Sequence, residues 1–152
     1  VTDPALRWLL VAHAGSTVMM TGLIWFVQIV HYPMFDSVGR DAFPAYEQRH
    51  SRLTTGVVAP LMLVELGTAA GLILSRTSRL SPGVLWTGLA LLALIWISTA
   101  AIQVPCHDAL ARGFDPKIHR RLVSSNWIRT LAWSARSVIA LWLLPGASEL
   151  TP

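Results

Sequence analysis

Between Arg7 and Asp36 the chain has no Asp, Glu, Lys or Arg, and the same holds from Leu80 to His107. Each stretch is longer than the roughly 20 apolar residues needed to cross a bilayer. Leu53 to Ser75 holds Glu65 as its one charged residue, and Leu122 to Leu144 holds Arg129 and Arg136. These read as two further spans with charges directed inward. The pattern predicts an all-α fold, an integral membrane four-helix bundle in one domain over residues 1–152, with helices at about 4–31, 42–75, 83–104 and 116–144. The first stretch reads as a retained helix rather than a cleaved leader, because it is long and only Arg7 precedes it.

Local signals set the expected boundaries. Pro33 disfavours helical geometry at Tyr32 and should end the first helix. Asp41 can cap the second helix, with Pro44 in its first turn and Pro60 bending it further on. The short SRTSRLSPG turn makes helices two and three antiparallel neighbours. Pro105 closes the third helix. Asp115 and Pro116 form an N-cap and first-turn pair for the fourth, which runs to the Leu-Pro-Gly stop at Leu144.

Two segments recur in order. HSRLTT at His50 resembles HRRLVSS at His119, and QIVHYP at Gln28 resembles QVPCHD at Gln103. A duplicated two-helix repeat would produce this, with His31 corresponding to His107 and His50 to His119.

Up-and-down topology puts the 31–52 and 107–121 loops on one face. That face carries Arg40, Arg49, Arg52, Arg112, Lys117, Arg120 and Arg121, against Arg7, Arg76 and Arg79 on the other. By the positive-inside rule the histidine-rich face is cytoplasmic, in a setting such as a bacterial inner membrane. The composition agrees with lipid as the main partner: 53% of residues are hydrophobic and 13% charged, where soluble domains carry about a quarter charged. The net charge of +4 falls beside spans, where lipid head groups and buried carboxylates are the partners, so no nucleic acid is expected. Assembly as a homo-oligomer is compatible with the sequence.

Each helix carries one polar stripe at about 100° per residue. These are His13, Thr17, Thr21, Gln28 and His31; Glu47, His50, Thr54 and Glu65; Gln103 and His107; and His119, Asn126, Arg129, Trp133 and Arg136. In lipid the stripes must face inward. Glu47 and His50 have the ExxH spacing that puts a carboxylate and an imidazole on one helical face. Four of the five histidines lie at a similar depth. The candidate metal ligands are His31, Glu47, His50, His107 and His119, with Asp108 close by. The single cysteine, Cys106, excludes a thiolate cage. Imidazole and carboxylate donors favour a transition metal, iron first, with manganese, zinc or copper also compatible. Taken singly, each histidine can equally sit among head groups or bond a carbonyl.

A second layer lies deeper. His13 is about 27 Å along its helix from His31, and Glu65 and Arg136 lie about 22 and 25 Å from His50 and His119. His13, Glu65 and Arg136 can therefore meet, either as a structural lock or as proton-transfer groups. Arg129 and Arg136 can hold the anionic end of a substrate, a haem propionate or a quinone oxygen. Trp133 between them is a candidate substrate wall.

VPCHDALARG followed by SSNWIRTLAWSAR resembles the C-terminal half of the anthrone-oxygenase-like family of small four-helix membrane proteins. There a Val-Pro-x-x-Asp-Ala-Leu segment precedes an Asn-x-x-Arg-Thr helix. The matching positions are Val104, Pro105, Asp108, Ala109, Leu110, Asn126, Arg129 and Thr130. The resemblance covers roughly the last third of the chain; the N-terminal half matches only through Pro33. It implies oxidation of a hydrophobic, often aromatic substrate at the membrane. His107 stands where those proteins have Asn, so no metal requirement carries over.

The resulting expectation is a metal-dependent membrane oxidoreductase for a lipophilic small molecule. Catalytic roles fall to His13, Glu65, Asp108 and Arg129, and substrate binding to Asn126, Trp133 and Arg136. Two alternatives are a haem-binding electron carrier and a small proton-coupled transporter.

Overall fold

The computed structural model describes residues 3–75 and 80–144. It contains four helical rods: α1 (Pro4–Ser37), α2 (Phe43–Leu74), α3 (Pro82–Leu110) and α4 (Pro116–Leu143). The expected Arg76 and Arg79, and the Pro-Gly stop after Leu144, lie outside the described residues. Three rods, α1 to α3, are long and apolar enough to cross a membrane. α4 is 28 residues long, but its inward stripe makes it too polar to qualify by composition. It nevertheless lies antiparallel along α1, from Asn126 against Gln28 at one end to Ser137 against Thr21 at the other. It therefore shares the same slab.

The rods form an up-down-up-down ring in which α1 packs on α2 and α4, and α3 packs on α4 and α2. The outer surface is apolar, with Met19, Phe26, Leu63, Ile97, Leu131 and Val138 exposed, while Gln28, Glu47, Glu65, Gln103, Asn126, Arg129 and Arg136 are buried. Polar groups inside and apolar groups outside is the arrangement a bilayer solvent demands. The molecule is a helical membrane-protein bundle.

Both expected proline stops are corrected by the structure. In α1 a π-turn spans Val27–His31, and the chain stays helical through Tyr32 (φ −65°, ψ −43°) into a 3-10 segment, Pro33–Ser37. In α3 a second π-turn spans Thr99–Gln103, and the helix continues through Pro105 to Leu110. A proline removes one amide donor and crowds the carbonyl four residues back. The wider turn absorbs that conflict: the residue before each proline bonds five residues back, Tyr32 to Val27 and Val104 to Thr99. α2, in contrast, passes through Pro60 without a break in its helix. Asp41 does not cap α2: the cap position is Ala42, with no side-chain bond. Asp115 does cap α4, accepting from the amides of Lys117 and Ile118, with Pro116 behind it.

The two π-turns bring out matching features of the two halves at a spacing different from that of the expected repeat. Val27 and Thr99, Pro33 and Pro105, Asp36 and Asp108, and Pro44 and Pro116 are each 72 residues apart. The arginine pairs 40 and 112, and 49 and 121, keep the same interval. In this register Glu47 corresponds to His119, His31 to Gln103, and Phe35 to His107. No histidine stands opposite another in this register.

Candidate metal centre and cavity

The site forms at the end of the bundle where α1 and α3 leave their π-turns and α2 begins. The α1 π-turn delivers His31 and Tyr32, the first two turns of α2 deliver Glu47 and His50, and the segment after Pro105 delivers His107. Glu47 is wholly buried. Its Oε1 lies 2.5 Å from His107 Nδ1 and accepts from Ser51 Oγ at 3.1 Å. With Nδ1–H donated to the carboxylate, His107 Nε2 accepts the Tyr32 hydroxyl at 2.9 Å. His50 Nδ1 is 2.9 Å from His31 Nε2 and 3.1 Å from Thr54 Oγ1.

Donor atoms of Glu47, His50 and His107 all lie within 4.8 Å of one another, close enough to converge on one ion. Glu47 Oε2 has no hydrogen-bond partner. A buried carboxylate oxygen is costly when unmatched, and the two imidazoles grouped with this carboxylate complete a nitrogen and oxygen donor set suited to iron, manganese or zinc. The residues fit a metal.

The expected ligands divide. Glu47, His50 and His107 come together, and His31 touches the group through His50. His119 does not join them: its Nε2 donates to the Tyr32 carbonyl at 2.7 Å. Its ring stacks on Phe35, which separates it from His31 and His50. Asp108 lies exposed at the rim of the adjoining cavity, outside the donor group. Cys106 is buried in the apolar cluster.

Arg129 lies beside this centre, 7% exposed. Its Nε and Nη2 donate to Asn126 Oδ1 at 2.9 and 2.5 Å, Nη2 also reaches the Tyr32 hydroxyl at 3.2 Å, and Nη1 reaches Thr99 at 3.4 Å. Asn126 is oriented in turn by donating to Gln28 Oε1 at 2.9 Å. Asn126 thus positions the guanidinium, and Tyr32 joins it to His107.

The deeper layer is assembled as well. Arg136 Nη2 lies 3.4 Å from Glu65 Oε1, and Nη1 donates to the Gly88 carbonyl. Trp133 Nε1 donates to Glu65 Oε2 at 2.9 Å. His13 does not reach Glu65; its Nδ1 is 2.9 Å from Thr68 Oγ1, one turn further along α2.

A cavity of about 350 Å³ adjoins the donor group and reaches Trp133 of the deeper layer. Its polar end is formed by His50, His107, Thr99 and Arg129, and its body by Met20, Leu23, Ile24, Val58, Met62 and Trp133. Tyr32, Phe35 and Thr99 are the participants that the sequence did not mark, and Gln28 was marked only as a member of the inward stripe. Tyr32 and Phe35 look like interface aromatics in the sequence, and their one available signal was adjacency to His31 and Pro33.

The chain matches no protein-family model, no curated protein and no solved structure.

Proposed function

We propose that the protein is a metal-dependent membrane oxidoreductase acting on a lipophilic small molecule. The observation that carries this reading is the buried Glu47 carboxylate, with Oε2 unpartnered and one of its oxygens grouped within 4.8 Å with the ring nitrogens of His50 and His107, at the polar end of an apolar cavity. Glu47, His50 and His107 would hold the metal, with His31 adjacent, and iron suits this donor set and the redox role best. A redox-active metal there would supply the electron transfer that oxidation of such a substrate needs. Arg129, fixed by Asn126, would orient the substrate head, and Trp133 would form the chamber floor. The resemblance of the last third of the chain to anthrone-oxygenase-like proteins supports oxidation as the reaction class. Arg40, Arg49, Arg52, Arg112, Lys117, Arg120 and Arg121 are all exposed. None is drawn into the site, so each counts toward a cytoplasmic histidine face, as in an inner membrane.

Elemental analysis of the purified protein, paired with its visible spectrum, tests this. The expected result is one transition-metal ion per chain, reduced at least tenfold by His50→Ala or Glu47→Gln with the protein still folded. Substoichiometric metal in the wild type, or full occupancy in both variants, would overturn it, and a Soret band would replace it with haem binding.

A further inference from the structure

We propose that the cavity binds a lipophilic acid, with the ligand's carboxylate on Arg129 and its apolar body between α2 and α3. This deepens the reading above, since it takes the cavity as the substrate chamber of that oxidoreductase.

The argument begins with two arginines on one helix. Arg129 and Arg136 are both more than nine-tenths buried. Arg136 has its carboxylate, Glu65. Arg129 has none within 4.0 Å among the described residues: its four contacts go to the neutral Asn126, Tyr32 and Thr99. Glu47 is engaged by His107, and Asp108 stands exposed at the cavity rim without bonding Arg129. A buried cation requires a counter-charge. Here neutral groups hold the guanidinium in place and leave its charge unmatched, while it forms part of the cavity wall. A carboxylate is the group that a guanidinium binds most favourably, through parallel charge-assisted bonds.

The remainder of the chamber defines the rest of the ligand. Apart from the polar end, with Gln103 and Asp108 near it, and a hydroxyl edge of Ser51, Thr54 and Thr55 on α2, the lining is aliphatic and aromatic, with Met20, Leu23, Ile24 and Met62 along the sides and Trp133 at the floor. Entry is lateral. Thr55 of α2 and Val104 of α3 line the cavity and are exposed on the bundle's outer surface. Among the described residues the side-chain hydrogen bond between α2 and α3 is at the Glu47–His107 end, and none joins α2 to the Pro82–Ser98 part. The corresponding seam between α1 and α4 is tied by Thr21 to Ser137, Trp25 to Ser134 and Gln28 to Asn126. An acid partitioned in the bilayer can thus slide in tail-side through the open seam and place its head on Arg129.

The test is equilibrium binding of tritiated dodecanoate to the full chain in a zwitterionic detergent, competed by unlabelled dodecanoate, dodecanol and methyl dodecanoate. Dodecanoate is expected to compete at least tenfold better than the alcohol or the ester. Arg129→Gln should remove that preference, Arg129→Lys should retain part of it, and stripping metal from the wild type with a chelator should leave it intact. Equal competition by acid and alcohol in the wild type would overturn the proposal even if Arg129→Gln failed to fold. So would a preference that survives Arg129→Gln, or one lost on chelation, which would assign the carboxylate to a bound metal. A preserved acid preference in a chain that binds no metal would sink the oxidoreductase reading and leave the acid site standing.

Discussion

Glu65, Trp133 and Arg136 form a closed unit: one carboxylate accepts from an indole and a guanidinium, all three nearly inaccessible. Breaking one side of such a pair strands the other charge inside the bundle, which typically costs about 3–5 kcal/mol. Glu65→Gln is therefore expected to destabilise the protein by about that amount, and Trp133→Phe, which loses one bond to a charged acceptor, by about 1.5–3 kcal/mol. Reversible denaturation in mixed micelles checks both, and near-equal stability of Glu65→Gln and wild type would contradict a structural lock. This contact was legible in the sequence because counting rise per residue brings Glu65 and Arg136 to one depth. The partner of His13 was not legible. His13 shares that depth, yet Thr68, one turn beyond Glu65, takes its ring nitrogen, and a threonine in an apolar run carries no distinguishing mark.

Helix starts were easier to read than helix ends. Asp115 followed by Pro116 announces α4, and Asp115 Oδ1 accepts from Lys117 N at 2.7 Å and Ile118 N at 3.4 Å. Asp115→Ala should therefore cost about 1 kcal/mol, the usual worth of a lost N-cap. Asp41→Ala should change stability by less than about 0.5 kcal/mol, as for an exposed residue with no cap to lose. Thermal unfolding of the two variants side by side distinguishes a true cap from a similar-looking aspartate. Pro33 and Pro105 misled for a physical reason. Proline rules assume an α-turn upstream, and each of these prolines follows a π-turn that already gives the preceding amide a partner five residues back. Each π-turn inserts a residue relative to α geometry, so side chains beyond it change phase. That is why Tyr32 and Phe35 reach the site interior while a regular count at 100° per residue stops at His31. π-turns are often found beside functional sites, and here one ends at His31 and the other begins at Thr99, the residue that bonds Arg129.

Across the described residues, features of the first half recur 72 residues on in the second, while the two seams between the halves differ. One seam, α1 against α4, is closed by side-chain hydrogen bonds, and the other, α2 against α3, holds the cavity. The chemistry is equally one-sided, since Arg129 corresponds to Val57 and His107 to Phe35 in that register. The bundle's depth in lipid is marked by aromatic residues. Trp8, Trp86 and Trp142 are exposed at one end, and Trp25 with Trp127 near the other. Trp8 and Trp25 are about 25 Å apart along α1 at helical rise, close to the roughly 30 Å hydrocarbon core that interfacial tryptophans bracket. The exposed basic residues crowd the end beyond Trp25, and the proposed orientation puts that end in the cytoplasm. In a Cys106→Ala background, a thiol introduced as Ser37→Cys should resist a membrane-impermeant maleimide in intact cells and react once they are permeabilised. Ser81→Cys, at the opposite end, should react in both conditions. The reverse pattern would place the histidine end outside, and the candidate metal centre would then draw its ion and its electrons from the external face.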